Sequence, residues 1–294
     1  MKEIVSHIVH QLQDYYPEYE AQELAYWIVE ETTGITRAQV LMGCTPKSIL
    51  NLSSIIKQLQ EYTPIQYIFG HTEWMGLTLD VTPATLIPRP ETAELVDWVI
   101  ATNNQHAPLR ILDIGTGSGC IAIALKHRCP KWIVQGVDIS NEALKVAKKN
   151  GLTNEVDIKW KKMDILSEKP DWVDIIVSNP PYICHREKND MMVRVLEHEP
   201  HSALFVPDDN PLLFYRRIAS IQSSQSIYFE VNDDPLLFYR RIATLKAAPK
   251  LFFEINEAYG NEVCEMMDKF GYTDIQLKHD IYGKPRMVFG RINA

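Results

Sequence analysis

The apolar positions of the first sixty or so residues recur at helical spacing. Ile4, Val5, Ile8 and Leu12 form one stripe, and Leu24, Trp27 and Ile28 form a second, each the mark of a helix with one buried face. Pro46 opens a further helical segment carrying Ile49, Leu52, Ile55, Ile56 and Leu59, and Pro64 closes it, because proline suits the first turn of a helix but not its interior. From Gln66 to Pro90 the texture changes. Trp74, Leu77, Leu79 and Val81 lie around Gly76 and predict a short hairpin. Pro88-Arg89-Pro90-Glu91-Thr92 then makes a stiff entry into a helix bearing Leu95, Val96, Trp98 and Val99.

Beyond residue 108, apolar runs alternate with helical patterns. Ile111–Ile114, Ile133–Asp138, Asp157–Trp160 and Asp174–Asn179 are the candidate strands. Runs this apolar, with helices between them, predict the α/β class, with a parallel sheet covered on both faces and right-handed crossovers. The expected organisation is a helical domain over 1–70, a linker with the hairpin over 71–90, and the α/β domain over 91–294.

One segment breaks the pattern. Residues 210–233 reappear as residues 234–257, with Pro211–Ala219 repeated residue for residue as Pro235–Ala243. Two copies are too few for a solenoid, so this reads as a tandem duplication of one helix–strand unit. A sheet has one place for such a unit, and two near-equal registers compete for it. The second copy is expected to take that place, because it leads directly into Gly260-Asn261-Glu262-Val263, with the first copy extruded.

Composition narrows the classes. With 46% hydrophobic and 23% charged residues the chain is ordinary globular material. A formal charge of −8 argues against wholesale attraction to nucleic acid or anionic membrane. No secretory signal is visible at Met1-Lys2-Glu3-Ile4, and no apolar run approaches the roughly 20 residues needed to span a bilayer. Five scattered cysteines without a C-x-x-C pair point away from a disulfide framework or zinc site and toward a cytoplasmic location. His198 and His201 flank Pro200 with no further ligand cluster, so no metal is expected.

Three signals fall at consecutive predicted strand ends. Asp113-Ile114-Gly115-Thr116-Gly117-Ser118-Gly119 runs off the first strand into a helix. Glycines let the backbone turn tightly and approach a ligand, and exposed N–H groups at the helix start favour an anionic group. The G-x-G-x-G spacing departs from the dinucleotide fingerprint G-x-G-x-x-G. Asp138 ends the second strand, where a carboxylate can accept both hydroxyls of a ribose. An N-cap role is the competing reading, but Ser140 can cap the following helix and leave Asp138 free. Asp164 falls at the same edge after the third strand, and self-capping of its loop is as good a reading as ligand contact.

The third signal is Asn179-Pro180-Pro181-Tyr182. Asn179 and Pro180 each precede a proline and are pushed to extended conformations, and neither proline has an N–H. A rigid loop therefore presents the Asn179 side chain and bare carbonyls. Two acceptors about 3 Å from a planar NH₂ group would bind and orient it, and Tyr182 can wall the pocket. In open parallel sheets ligands bind at those strand ends, so three signals together are far more specific than one.

Asp113 to Gly119, Asp138 and Asn179 to Tyr182 resemble the signature of class I S-adenosylmethionine methyltransferases acting on planar NH₂ groups. Pro64–Gly70, Thr82–Thr92 and the ending Gly283–Gly290 resemble one branch, the peptide chain release factor N5-glutamine methyltransferases. The resemblance implies a Rossmann-like sheet with a small N-terminal all-α domain and a linking hairpin. It also implies methylation of the glutamine in the Gly-Gly-Gln motif of release factors. By that likeness Asp113, Gly115 to Gly119, Asp138, Asp164, Ile165 and Asn179 hold S-adenosyl-L-methionine. Asn179 and the Pro180 carbonyl hold the glutamine amide, and Pro181 and Tyr182 shape its pocket. The helical domain helps to dock the release factor, with no direct nucleic-acid contact, no membrane and no metal. Rivals are a ribosomal-protein glutamine methyltransferase and a nucleic-acid adenine N6-methyltransferase, which meets the same NH₂ problem after base flipping. A non-catalytic protein whose fold the duplication has spoiled is a third.

Overall fold

The computed structural model describes residues 2–44, 48–223 and 250–292. The chain divides into two compact units, Met1–His71 with Met192–His198, and Thr72–Met191 with Glu199–Ala294.

The first unit contains α1 (Lys2–Leu12), α2 (Glu18–Thr33), α3 (Arg37–Leu41), α4 (Leu52–Gln60) and α5 (Ile65–Phe69). Ile8, Leu12, Ile28 and Leu59 are fully enclosed in its core, and the Tyr16 hydroxyl donates to the Leu59 carbonyl at 2.7 Å. The third helix of the sequence pattern is shorter than expected. It starts at Leu52, because Asn51 sits in the left-handed region at φ 59°, a conformation Asn tolerates and a continuing helix does not. Pro64 ends nothing but heads α5, which Gly70 closes at φ 80°. The short helix Val193–His198 (α9) joins this unit through an Arg194–Glu20 ion pair and a contact of His198 Nε2 with the Glu61 carbonyl at 2.9 Å. No local pattern announces that association across more than a hundred residues.

The second unit opens with the expected hairpin, β1 (His71–Trp74) and β2 (Leu77–Asp80). Met75 and Gly76 turn it at φ 53° and 76°, the left-handed pair of a two-residue hairpin loop. After α6 (Pro90–Ala101) come β3 (Arg110–Ile114), α7 (Cys120–Arg128), β4 (Ile133–Asp138), α8 (Asn141–Thr153), β5 (Lys159–Lys162) and β6 (Ile175–Ser178). Beyond these lie β7 (Ile183–Cys184), α10 (His201–Leu204), β8 (Phe205–Val206), α11 (Leu213–Ser223), β9 (Lys250–Glu254), α12 (Gly260–Lys269), β10 (Thr273–His279) and β11 (Pro285–Arg291).

Among the described residues the main sheet has seven strands in the order β10-β11-β9-β6-β3-β4-β5. The five strands from β9 to β5 are parallel, and β11 and β10 add an antiparallel edge. One core cluster joins α6 and α7 to one face of the sheet, and a second joins α11 and α12 to the other. This is the two-sided burial that the apolar runs require. The predicted third strand is displaced by two residues, from 157–160 to 159–162, where Trp160 alone is drawn inward.

The duplication follows the expectation for its strand but not for its helix. The helix of the first copy is α11, with Tyr215, Ile218 and Ala219 fully buried against the sheet. The strand beside β6 comes from the second copy, as β9. The first copy's helix is therefore not extruded. Its nine identical residues fit the helix place as well as the second copy's do, so sequence held no preference. The first copy's strand and the second copy's helix fall within 224–249, outside the described residues.

Candidate active site

β4 pairs with one side of β3 and β6 with the other, so the strand order reverses at β3, whose C-terminal end leads into the glycine turn. Gly115, Gly117 and Gly119 all have positive φ, at 70°, 55° and 84°, so any side chain there would be strained. Gly119 is also a packing position, because a Cβ would lie 3.0 Å from the Trp160 ring. Four N–H groups of the turn are already engaged inside the protein. Those of Gly115 and Thr116 donate to the Val137 carbonyl, that of Gly119 to the Thr116 carbonyl, and that of Gly117 to Asp138 Oδ2 at 2.9 Å. Three of the four are taken by Val137 and Asp138 of β4, which runs alongside, and the fourth closes the turn on itself just before the helix start.

Asp113 lies beneath the turn, fully buried, and accepts a 2.5 Å bond from the Thr116 hydroxyl. Burial pushes its carboxyl up to about 7, against that hydrogen bond. It stands outside the cavity lining and braces the turn from below. Asp138 is placed differently. Its Oδ2 accepts from Gly117 and its Oδ1 from the Ser140 N–H at 2.9 Å, so each oxygen keeps acceptor capacity. Burial raises its pKa, and these N–H bonds oppose the rise. Capping falls to Ser140, whose hydroxyl accepts from Ala143 N. Asp164 caps its own loop, accepting from Leu166 N and the Ser167 hydroxyl, and also lines the cavity beside Met163 and Ile165.

At the end of β6, Asn179 donates through Nδ2 to the Thr92 hydroxyl oxygen at 3.3 Å. The Thr92 hydroxyl donates in turn to Glu254 Oε2 at 2.6 Å. Glu254 is only 1% exposed. Burial pushes its carboxyl up to about 7, with the Thr92 hydrogen bond and the nearby Arg286 charge pulling the other way. Tyr182 points its hydroxyl toward Glu254 Oε1 at 3.5 Å and is absent from the cavity lining. Burial raises its phenol pKa, and Glu254 adds to the rise.

A cavity of about 300 Å³ joins these parts. Gly115 to Ser118, Asp138, Asn179, Pro180 and Pro181 all line it. Apolar walls come from Ile139, Leu166 and Phe214, with Thr85, Thr92, Ser202 and Ala203 alongside. Sequence reasoning missed Thr92, Glu254, Ser202 and Phe214, because their nearness to Asn179 or to the cavity is tertiary. Of the repeated Phe-Tyr pair, Tyr215 is fully buried in the core, whereas Phe214 lines the cavity. Arg89 pairs with buried Glu199 at 2.6 Å. Among the described residues no group of His, Cys, Asp or Glu is arranged to hold a metal ion.

A nucleoside bearing a cationic sulfur suits this donor set: an acidic acceptor for ribose hydroxyls, apolar walls for a flat base, and a tight glycine turn between them. Fold and site thus define a Rossmann-like class I methyltransferase. Residues 97–205 match the family described as "Methyltransferase small domain". The fold is that of the hMettl16 catalytic domain, at TM-score 0.52 and 20% identity, covering 74% of this chain and 76% of that one. The chain is 39% identical to the release factor glutamine methyltransferase of Flavobacterium psychrophilum, over 98% of both chains. It is 40% identical to that of Bacteroides thetaiotaomicron, over 98% of this chain and 99% of the relative. The chain belongs to the release factor glutamine methyltransferase family.

Proposed function

We propose that this protein transfers a methyl group from S-adenosylmethionine to the side-chain amide nitrogen, N5, of the glutamine in the Gly-Gly-Gln motif of peptide chain release factors. The observation that carries the reading is the sharing of one cavity by the glycine turn, Asp138 and the Asn179-Pro180-Pro181 loop, in a chain of this family. The family supports release factors as the partner and S-adenosylmethionine as the cofactor.

The cofactor, when bound, supplies a methyl group on a sulfonium, whose charge is lost on transfer. Asp138 accepts the ribose hydroxyls, and the Gly115–Gly119 turn with Asp164 and Ile165 holds the remainder. An amide nitrogen is a weak nucleophile, since its lone pair is delocalised into the carbonyl. Asn179 Oδ1 and the Pro180 carbonyl accept its two N–H groups, fix the nitrogen toward the methyl and stabilise positive charge as it develops. The amide nitrogen held in this way would take the methyl group, and its surplus proton would leave to water. Pro181 shapes the entry, and Tyr182 supports the loop from behind through its hydroxyl. The helical unit serves to dock the release factor. A protein substrate rather than nucleic acid fits a net charge of −8. A cytoplasmic site of action fits the substrate, and no described helix is long and apolar enough to cross a membrane.

Mass spectrometry of a release factor incubated with the protein and S-adenosylmethionine tests the reading. One added methyl on the Gly-Gly-Gln peptide is expected. Methylation confined to ribosomes or DNA offered in parallel would move the activity to one of the rivals.

A further inference from the structure

Two ends of a carboxamide are nearly the same size, and a half-turn about its terminal torsion exchanges them. For Asn179 the exchange matters. With Oδ1 toward the cavity it accepts from a substrate NH₂ group, whereas with Nδ2 there, two donors face each other and no bond forms. Something must choose. Resting on the assignment of Asn179 as an acceptor for the glutamine amide, we propose that Glu254 and Thr92 form a polarity relay that holds the Asn179 oxygen toward the cavity.

The geometry supplies each link. Glu254 as a carboxylate can only accept hydrogen bonds. The Thr92 hydroxyl has one proton, and at 2.6 Å it is given to Glu254 Oε2. The Thr92 oxygen then faces Asn179 with lone pairs only, and at 3.3 Å it takes a donor, the Nδ2 group. Glu254 is 1% exposed and Thr92 only 2%, so reversing the chain would leave an enclosed acceptor facing an acceptor. The Tyr182 hydroxyl, directed at the other carboxylate oxygen at 3.5 Å, is also a donor and reinforces the same sense. Neither Thr92 nor Glu254 reacts. Both are positioning residues, and they sit 162 residues apart in the chain.

The test uses the full chain with a release factor and labelled S-adenosylmethionine at pH 8.5, where the carboxyl is ionised. Thr92→Val removes the acceptor for Asn179 and should lower kcat about tenfold or more, the effect of losing one oriented hydrogen bond to the reacting group. Cofactor affinity by calorimetry should stay within about threefold, because Asp138 and the glycine turn are untouched. Thr92→Ser keeps the hydroxyl and should recover at least roughly half the rate. Glu254→Gln can donate to Thr92 and permit the reversed chain, so it should slow turnover without weakening cofactor binding or lowering the thermal midpoint. Equal rates for wild type, Thr92→Val and Glu254→Gln would overturn the relay, as would a Thr92→Ser variant no faster than Thr92→Val. A wild-type protein that does not methylate the release factor would instead overturn the underlying functional reading.

Discussion

Asn179 is held by two prolines in the chain and by one hydrogen bond across it. Asn179→Ala should lower kcat by about a hundredfold, the usual scale for losing an oriented polar group at a developing charge. Calorimetry should find S-adenosylmethionine binding largely intact, and near-normal turnover would remove Asn179 from its role. Two buried carboxyls nearby make a second prediction. Asp113 and Glu254 are both raised to about 7 by burial. The folded state therefore binds protons more tightly than the unfolded chain, and each group's contribution is favourable at low pH. It is lost as pH rises from about 4 to about 7 and stays lost above. A shift of this size is on the order of 3 kcal/mol per group. Relative to wild type, Glu254→Gln and Asp113→Asn should gain stability between pH 5 and pH 8, measured by urea unfolding at both. A constant difference across that range would show that neither carboxyl titrates there.

Among the elements, β4 and β5 show how one side chain dictates another position. Trp160 is the inward residue of an otherwise lysine-rich edge strand, and its ring lies over Gly136 of β4. A Cβ at Gly136 would fall 2.4 Å from that ring, so the strand accepts a glycine that its β propensity would disfavour. The same indole packs on Gly119 and Gly151, tying β4, the glycine turn and α8 together. Gly136→Ala should cost about 2 kcal/mol by overpacking and lower the thermal midpoint by several degrees. Cofactor affinity should weaken with it, since Thr116 is the next group the new methyl meets. An unchanged midpoint would mean that the Trp160 ring moves aside freely. At the start of α8, Ser140 rather than Asp138 caps the helix, which is why the acid remains available to a ligand.

Over the whole molecule the duplication has separated a helix from its strand. The helix place is filled by the first copy and the strand place by the second. Deleting residues 220–243 joins Ala219 to Thr244 and leaves one helix–strand unit: Leu213–Ala219 of α11 and all of β9 are kept, and Thr244-Leu245-Lys246-Ala247 replace the last turn of α11 in sequence. Bringing the two elements together then costs less chain entropy. The shortened protein should methylate release factor at the wild-type rate with an equal or higher thermal midpoint. A loss of folding on deletion would show that residues 220–243 carry structure the sheet requires.

Local pattern determined much of this protein. The strands β3, β4 and β6, the hairpin around Gly76 and the helical first sixty residues were legible because apolar periodicity, proline and glycine act on near neighbours. That the glycine turn, Asp138 and Asn179 share one cavity was legible because a parallel sheet brings the ends of its strands to one edge, whatever lies between them. Tertiary structure alone decided the rest. Thr92 and Glu254 carry no motif of their own, and their pairing with Asn179 exists only once α6, β6 and β9 are assembled. Asp113 and Tyr182 look like site residues in the chain, yet neither lines the cavity: Asp113 accepts from Thr116 and Tyr182 directs its hydroxyl at Glu254. Of the repeat, the strand place went to the second copy, as its direct run into Gly260 predicts, whereas the helix place went to the first copy, which the identical Pro211–Ala219 and Pro235–Ala243 could not announce because identical residues give identical local energies.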